Sequence, residues 1–174
     1  MHPAIAQDAT HGIFTTIDLK ACNQVRHGPE GTVWRCDGLP GYPVQLGEAD
    51  DRTFLTVGKA PQSRRASTQT LRVPNTLFPV EKRATIEWRV PQTTPPLQPY
   101  ATIVRYFTAH NAARGQVLIV SKVTPVETCQ VALVDADANA DALALARRIA
   151  DTTARTFDCT KPPTVAGTVG KSPM

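Results

Sequence analysis

Residues 101–123 read ATIVRYFTAHNAARGQVLIVSKV, and this stretch decides the fold. Two runs dense in β-branched and aromatic residues, Ala101 to Thr108 and Gln116 to Val123, flank the polar segment His110-Asn111-Ala112-Ala113-Arg114-Gly115. Such side chains fit a pleated, half-buried surface, and a short polar link with a glycine suits a turn that needs a positive φ. The stretch predicts a central β-hairpin, with Gly115 able to supply the left-handed residue.

Working outward, Thr85 to Val90 places Ile86, Trp88 and Val90 on one face and Thr85, Glu87 and Arg89 on the other, a half-buried strand. The repeated dipeptides Trp34-Arg35 and Trp88-Arg89 then read as core tryptophan with solvent-facing arginine, because neighbours on a strand point to opposite sides. Gln130 to Val134 is a further short strand after Pro125. From about Ala140 to Phe157, Ala142, Leu145, Ala146, Ile149, Thr153 and Phe157 recur at spacings of three and four, with Asp141 in the first turn and Arg155 in the last. This predicts an amphipathic helix lying on a sheet.

In the N-terminal half, Ile13 to Leu19 alternates apolar with polar residues. With the Gly28-Pro29-Glu30-Gly31 turn and Val33 to Cys36 it predicts an opening hairpin. Val44 to Leu46 and Phe54 to Val57, separated by the acidic Glu48-Ala49-Asp50-Asp51 turn, read as a second pair of strands. The expected fold class is α+β, a single antiparallel sheet of roughly six to eight strands with one C-terminal helix packed on it. Residues 1–12 and 160–174 are polar or small without an apolar period and read as mobile tails, leaving 13–159 as one domain.

The chain has 174 residues, 41% of them hydrophobic, enough for one core that folds alone. No run approaches the roughly 20 apolar residues of a membrane-spanning helix, which excludes a transmembrane protein of that kind. Fifteen prolines and ten glycines, spread without a repeat, exclude a helical bundle, a collagen and a solenoid.

Cys22, Cys36, Cys129 and Cys159 form no C-x-x-C and have no histidine at zinc-finger spacing, so no metal site is expected. An even count suits disulfides in an oxidising compartment, with reduced cysteines in a cytosolic core as the alternative. Four cysteines allow three connectivities, and the two local bridges, Cys22 to Cys36 and Cys129 to Cys159, are the preferred expectation. Ala4-Ile5-Ala6 before Gln7 has the small-x-small pattern of a signal-peptide cleavage site, although only Met1, His2 and Pro3 precede it.

Asp135-x-Asp137-x-Asn139-x-Asp141 imitates half of a calcium loop. It fails at the sixth position, Ala140, and at the twelfth, Ala146, where glycine and a bidentate glutamate are needed. Asp137 or Asn139 is expected instead to cap the helix. His2, His11, His27 and His110 lie in no recognised catalytic motif, and no G-x-S-x-G, H-E-x-x-H or phosphate loop is present. No catalytic residue and no cofactor is expected.

Charge is unevenly distributed along the chain. Eight basic residues against two acidic give residues 52–90 a net +6, while six acidic against three basic give residues 127–158 a net −3. Such polarity can steer an anionic partner: an acidic protein, a cell-envelope polymer or a membrane surface. Arg64, Arg65, Arg72, Lys82 and Arg83 are the candidate binding residues. Nucleic acid is disfavoured because few aromatics interleave with these cations.

The order Asp18-Leu19-Lys20-Ala21-Cys22, then Trp34-Arg35-Cys36 with Gly38 and Gly41-Tyr42-Pro43-Val44, resembles a group of small secreted proteobacterial proteins with four cysteines and no assigned function. Thr85 to Arg89, Ala101-Thr102-Ile103, Val131 to Asn139, and Ala144 with Arg147-Arg148-Ile149-Ala150-Asp151 before Cys159 fit the same group. The resemblance implies a periplasmic or secreted location and carries no functional residues. The functional expectation is a periplasmic or secreted, non-enzymatic binding or accessory module with a basic surface for an anionic partner. A small hydrolase with a loop-assembled site including His27 or His110, and an inhibitor of a cell-wall enzyme, are the alternatives.

Overall fold

The computed structural model describes residues 10–174, so the cleavage-like Ala4-Ile5-Ala6, His2 and most of the expected N-terminal tail lie outside the described residues. Eleven strands are described: β1 (His11–Asp18), β2 (Asn23–Gly28), β3 (Gly31–Leu39), β4 (Tyr42–Ala49), β5 (Arg52–Val57), β6 (Asn75–Thr76), β7 (Arg83–Val90), β8 (Ala101–His110), β9 (Ala113–Val123), β10 (Thr128–Asp135) and β11 (Thr164–Ala166). The one α-helix among these residues, α1 (Ala142–Thr152), follows β10.

The α+β class holds, but the strands form two sheets rather than one. β1-β7-β8-β9-β10-β11 form the larger sheet, with β6 beside the far half of β8, and β2-β3-β4-β5 form a four-stranded antiparallel meander. The predicted central hairpin is present, in register from Ala101 opposite Lys122 to His110 opposite Ala113. Its left-handed residue is Asn111, with φ 53°, and not Gly115. Glycine is required at 115 for another reason: a Cβ there would lie 2.5 Å from the Cα of Ser172.

Both faces of the larger sheet are covered, which is why β8 and β9 read as nearly continuous apolar runs. Val104, Tyr106 and Trp88 point toward the meander and meet Val44, Leu46, Leu55 and Val57 in the inter-sheet core. Ile103, Leu118, Val120 and Val134 point the other way, onto α1. The molecule is therefore three layers deep: meander, large sheet, helix. The contact row of α1 is alanine, Ala142, Ala146 and Ala150, continued by Ala154; Leu145, Ile149 and Phe157 flank it half-buried. Small side chains at every fourth position let the helix sit close to the sheet. The α-helix ends at Thr152 and a 3-10 turn, Ala154–Thr156, completes the segment expected to be helical up to Phe157.

The expected opening hairpin does not form. β1 pairs with β7 at one edge of the large sheet, and the partner of β3 is β2, a strand exposed at all six residues and therefore without an apolar signature. The chain changes sheets at Leu19–Cys22. The Cys22–Cys36 disulfide holds that crossing to β3, and Cys129–Cys159 holds the end of the helical segment to β10; both are the local pairings, and no described cysteine is free.

Two further corrections concern buried polar groups. Arg89 is not solvent-facing. It does point away from Trp88, but α1 covers that side and leaves Arg89 7% exposed. Its guanidinium donates twice to Asp151, at 2.9 and 2.8 Å, and once to Glu87, at 2.9 Å, while Arg147 makes a second two-bonded contact with Glu87 at 2.8 and 3.0 Å. Two cations and two carboxylates thus clamp the helix to β7.

Residues 160–174, expected as a tail, extend the folded unit beyond 159. β11 pairs in parallel with β10, and Asp135, fully buried, accepts the backbone N–H groups of Lys171 and Ser172 at 2.9 Å each. Polar bonds dock this segment, so no apolar period announces it. Asp137 and Asn139 take part in the same docking. Asp137 accepts from Gln116 N and Ser172 Oγ, Asn139 exchanges bonds with Thr168, and neither caps α1, whose N-cap is Asp141.

Candidate functional site

The structure separates the five candidate basic residues. Arg64 is 5% exposed and donates to the carbonyls of Lys59, Thr124 and Pro125 at 2.8, 2.9 and 2.7 Å and to Thr128 Oγ1 at 3.0 Å. It bridges the loop after β5 and the β9–β10 loop and is buried away from a partner surface; burial pushes its guanidinium below the ordinary value. Arg83 is exposed but paired with Asp18 at 3.2 Å. Arg65, Arg72 and Lys82 are exposed, on the 3-10 turn Arg65–Thr68, the loop before β6 and the loop before β7. None of the five lines the cavities described below.

His27 shares a 2.8 Å hydrogen bond with Thr32 Oγ1 at the exposed edge of the meander, and His110 is exposed at the end of β8. Neither lines a cavity described below. The four acidic or amide residues of the calcium-like motif form no cation cage, and no group of three metal-ligating side chains occurs among the described residues.

A wide concavity lies where the two sheets splay apart. The β2–β3 turn and the β4–β5 turn form one lip, β6 and the ends of β8 and β9 form the other, and the cleft between them encloses about 980 Å³. That is near the top of the range, roughly 300–1,000 Å³, typical of small-molecule sites. The β4–β5 turn is a tight two-residue link with Asp50 and Asp51 both left-handed, φ 50° and 58°. A turn of this handedness continues the strand twist and usually takes Asn-Gly, so two aspartates carry strain of about 1–2 kcal/mol each.

Two layers of polar groups line the cleft. Its rim carries Glu30, Glu48, Asp50 and Asp51 with Arg52 and Arg114; Arg52 sits 3.7 Å from Asp50, and Arg114 donates to the carbonyls of Asn111 and Ala113. Its floor is neutral: Thr53, Asn75, Thr76 and Thr108. Asn75 is fully engaged, accepting from Thr53 N at 3.0 Å and donating to Val73 O at 2.9 Å and Thr70 Oγ1 at 3.2 Å. Thr108 is not. Its side chain points between the sheets, in phase with Val104 and Tyr106, and its Oγ1 is buried without a hydrogen-bond partner. Among the described residues the other such atom is Thr56 Oγ1, which borders a pocket of about 10 Å³ between the sheets, the size of one water.

A second depression, about 390 Å³, lies on the outer face of the meander and shares Glu30, Thr32, Glu48 and Ala49 with the cleft. The acidic Glu48–Asp51 turn was visible in the sequence as a turn only. Asn75 and Thr108 carried no signal, because their importance comes from β6 joining β8 at the mouth of the sandwich. Comparison of the chain with protein-family models, with curated proteins and with solved structures finds no match in any of the three.

Proposed function

We propose that this protein is a non-enzymatic binding module of the periplasm or cell exterior, and that the cleft between the splayed sheet ends is its binding site for a neutral, hydroxyl-rich ligand. Two disulfides support the oxidising compartment, where such bonds persist. Among the described residues no helix is long and apolar enough to cross a membrane. The observation that carries the ligand class is the neutral floor of Thr53, Asn75, Thr76 and Thr108 beneath a rim with four carboxylates. Hydroxyl and amide groups suit an uncharged hydrogen-bonding ligand; Thr76 is the half-buried one among them, whereas Thr108 Oγ1 is buried away from the surface. The acidic majority on the rim disfavours an anionic ligand in this cleft and offers acceptors to hydroxyl groups.

Thr76→Val tests the reading at the half-buried hydroxyl of the floor. Valine is nearly isosteric; it forgoes the bond that Thr76 Oγ1 accepts from Phe78 N at 3.0 Å, a cost of about 1 kcal/mol read separately by melting, and the ligand loses a hydrogen bond worth about three- to tenfold in affinity. Titration calorimetry with neutral oligosaccharides, an acidic oligosaccharide and a Lys/Arg-rich peptide provides the assay. Saturable binding of the neutral set, weakened in the variant, is expected. Binding of the acidic oligosaccharide alone, abolished by Arg65→Glu, Arg72→Glu and Lys82→Glu together, would restore the anionic-partner reading and remove this one.

A further inference from the structure

We infer that the depression on the outer face of the meander is a second subsite for the same ligand, a platform for one sugar ring of a glycan chain that continues over the β4–β5 hairpin into the cleft. The inference rests on the cleft being a binding site for hydroxyl-rich ligands. Its floor is the cross-strand row Val33, Gly47 and Phe54. Phe54 is half-buried beside Gly47, and no side chain stands at Gly47 to share the floor with it.

The fold does not require glycine at 47. Its φ is not left-handed, and a Cβ would meet only Phe54 Cβ at 3.7 Å and Phe54 O at 3.9 Å, ordinary contacts. Glycine inside a strand is unfavourable, and where no steric reason exists it marks a place another molecule approaches closely. The open space it leaves is on the side lined by Phe54, Gln45 and Gln62.

The wall groups suit sugar hydroxyls. Arg35 donates to Gln45 Oε1 at 3.0 Å and to Gln62 Oε1 at 3.1 Å, fixing both carboxamides by their oxygens. Their NH2 groups have no protein acceptor among the described residues and are left as paired donors. Glu30 and Glu48, shared with the cleft, supply acceptors, and Arg26 supplies a further donor. An aromatic face for ring C–H groups, with planar amides, carboxylates and a guanidinium around it, is complementary to a pyranose, which is apolar on its faces and polar around its edge. The shared wall makes the two depressions one path, so chain length is the natural readout.

The experiment uses the whole protein with short and long neutral oligosaccharides of one series, in wild type and in Phe54→Ala, Gly47→Val and Thr76→Val. Gly47→Val adds side-chain bulk to the platform from a Cβ that meets only ordinary contacts, and circular dichroism and melting check that it folds. The expected result is that both outer-face variants weaken the long chain by about five- to tenfold and leave the short chain unchanged, whereas Thr76→Val weakens both. Long-chain affinity unchanged in Phe54→Ala and Gly47→Val, with Thr76→Val still impaired, overturns the platform and spares the cleft. Loss in the outer-face variants with Thr76→Val unimpaired overturns the cleft, and with it a path that continues into the cleft. No glycan binding at all, or a Lys/Arg-rich peptide bound in a Phe54-dependent way, overturns the inference.

Discussion

Replacing Arg89 by methionine tests whether the ion network, beyond alanine packing, holds α1 to the sheet. The substitution keeps an apolar stem and removes four bonds donated by the guanidinium, two to Asp151, one to Glu87 and one to Thr10 Oγ1. Glu87 keeps its two-bonded contact with Arg147, so the penalty falls on Asp151, whose side chain is 20% exposed and retains only Tyr100 Oη at 2.7 Å and Thr10 Oγ1 at 3.2 Å. Breaking a buried pair from one side costs about 3–5 kcal/mol, and the residual exposure of Asp151 places this case near 3. Arg147→Met removes a partner that is 40% exposed and should cost less, about 1 kcal/mol. Urea unfolding with an unchanged m-value measures both. The sign with pH is fixed as well. In the native protein burial pushes the Asp151 carboxyl up, but hydrogen bonds from Arg89 and Tyr100 and the charge of Arg89 outweigh it and hold it low. Its contribution is therefore complete above the unfolded value, about 3.9, and is lost as pH falls through the folded value. In the methionine variant burial acts unopposed by Arg89, the carboxyl rises, and acid relieves the uncompensated charge. The stability gap between the two proteins should narrow as pH falls from about 7 toward 4. A loss below about 1 kcal/mol, or a gap independent of pH, would refute this account of the clamp.

Asp135→Ala removes the acceptor for the backbone N–H groups of Asp137, Ala138, Lys171 and Ser172, and should cost about 3 kcal/mol or more and release residues 160–174 to proteolysis. Unchanged amide protection at Ser172 would contradict it. Reductant should lower the melting temperature by several degrees, and the protein denatured without reductant should titrate no thiol; removing Cys129–Cys159, which closes a 30-residue separation, should cost about 3–4 kcal/mol. Gly58→Ala places a Cβ 2.6 Å from Arg64 Cζ at a residue with φ 101°, and a loss of more than about 2 kcal/mol in chemical unfolding is expected, whereas Gly47→Ala should cost nothing.

What the sequence disclosed is what apolar periodicity encodes. β7, the β8–β9 hairpin and the helix after β10 stand where alternation and three-four spacing placed them, because each packs an apolar face on a core. The missed elements lack such a face. β2 is wholly exposed and is held by backbone bonds to β3 and by the disulfide beside it. β11 is held by one ladder and by the reach of Asp135, Asp137 and Asn139 to the chain that follows it. Splitting one predicted sheet into two is the same omission seen at larger scale: with β2 unseen, β1 had no competitor as the partner of β3.

The candidate basic surface shows an analogous gap, that between formal charge and available charge, although Arg65, Arg72 and Lys82 stay exposed on it. Counting cations along residues 52–90 assigns Arg64, Arg83 and Arg89 to a surface, yet one is a buried cross-link between loops, one is neutralised by Asp18 and one clamps the helix. Guanidinium groups suit all these tasks because several fixed donors reach several acceptors at once, so an arginine-rich segment in a sheet protein is as consistent with internal bracing as with a docking surface. Neutral polar groups are the complement of that bracing. The cleft floor carries Thr53, Asn75, Thr76 and Thr108, Gly47 lacks a steric reason, and the carboxamides of Gln45 and Gln62 are held by their oxygens alone. The two depressions they border share Glu30, Thr32, Glu48 and Ala49, and the proposed continuous binding path rests on that adjacency.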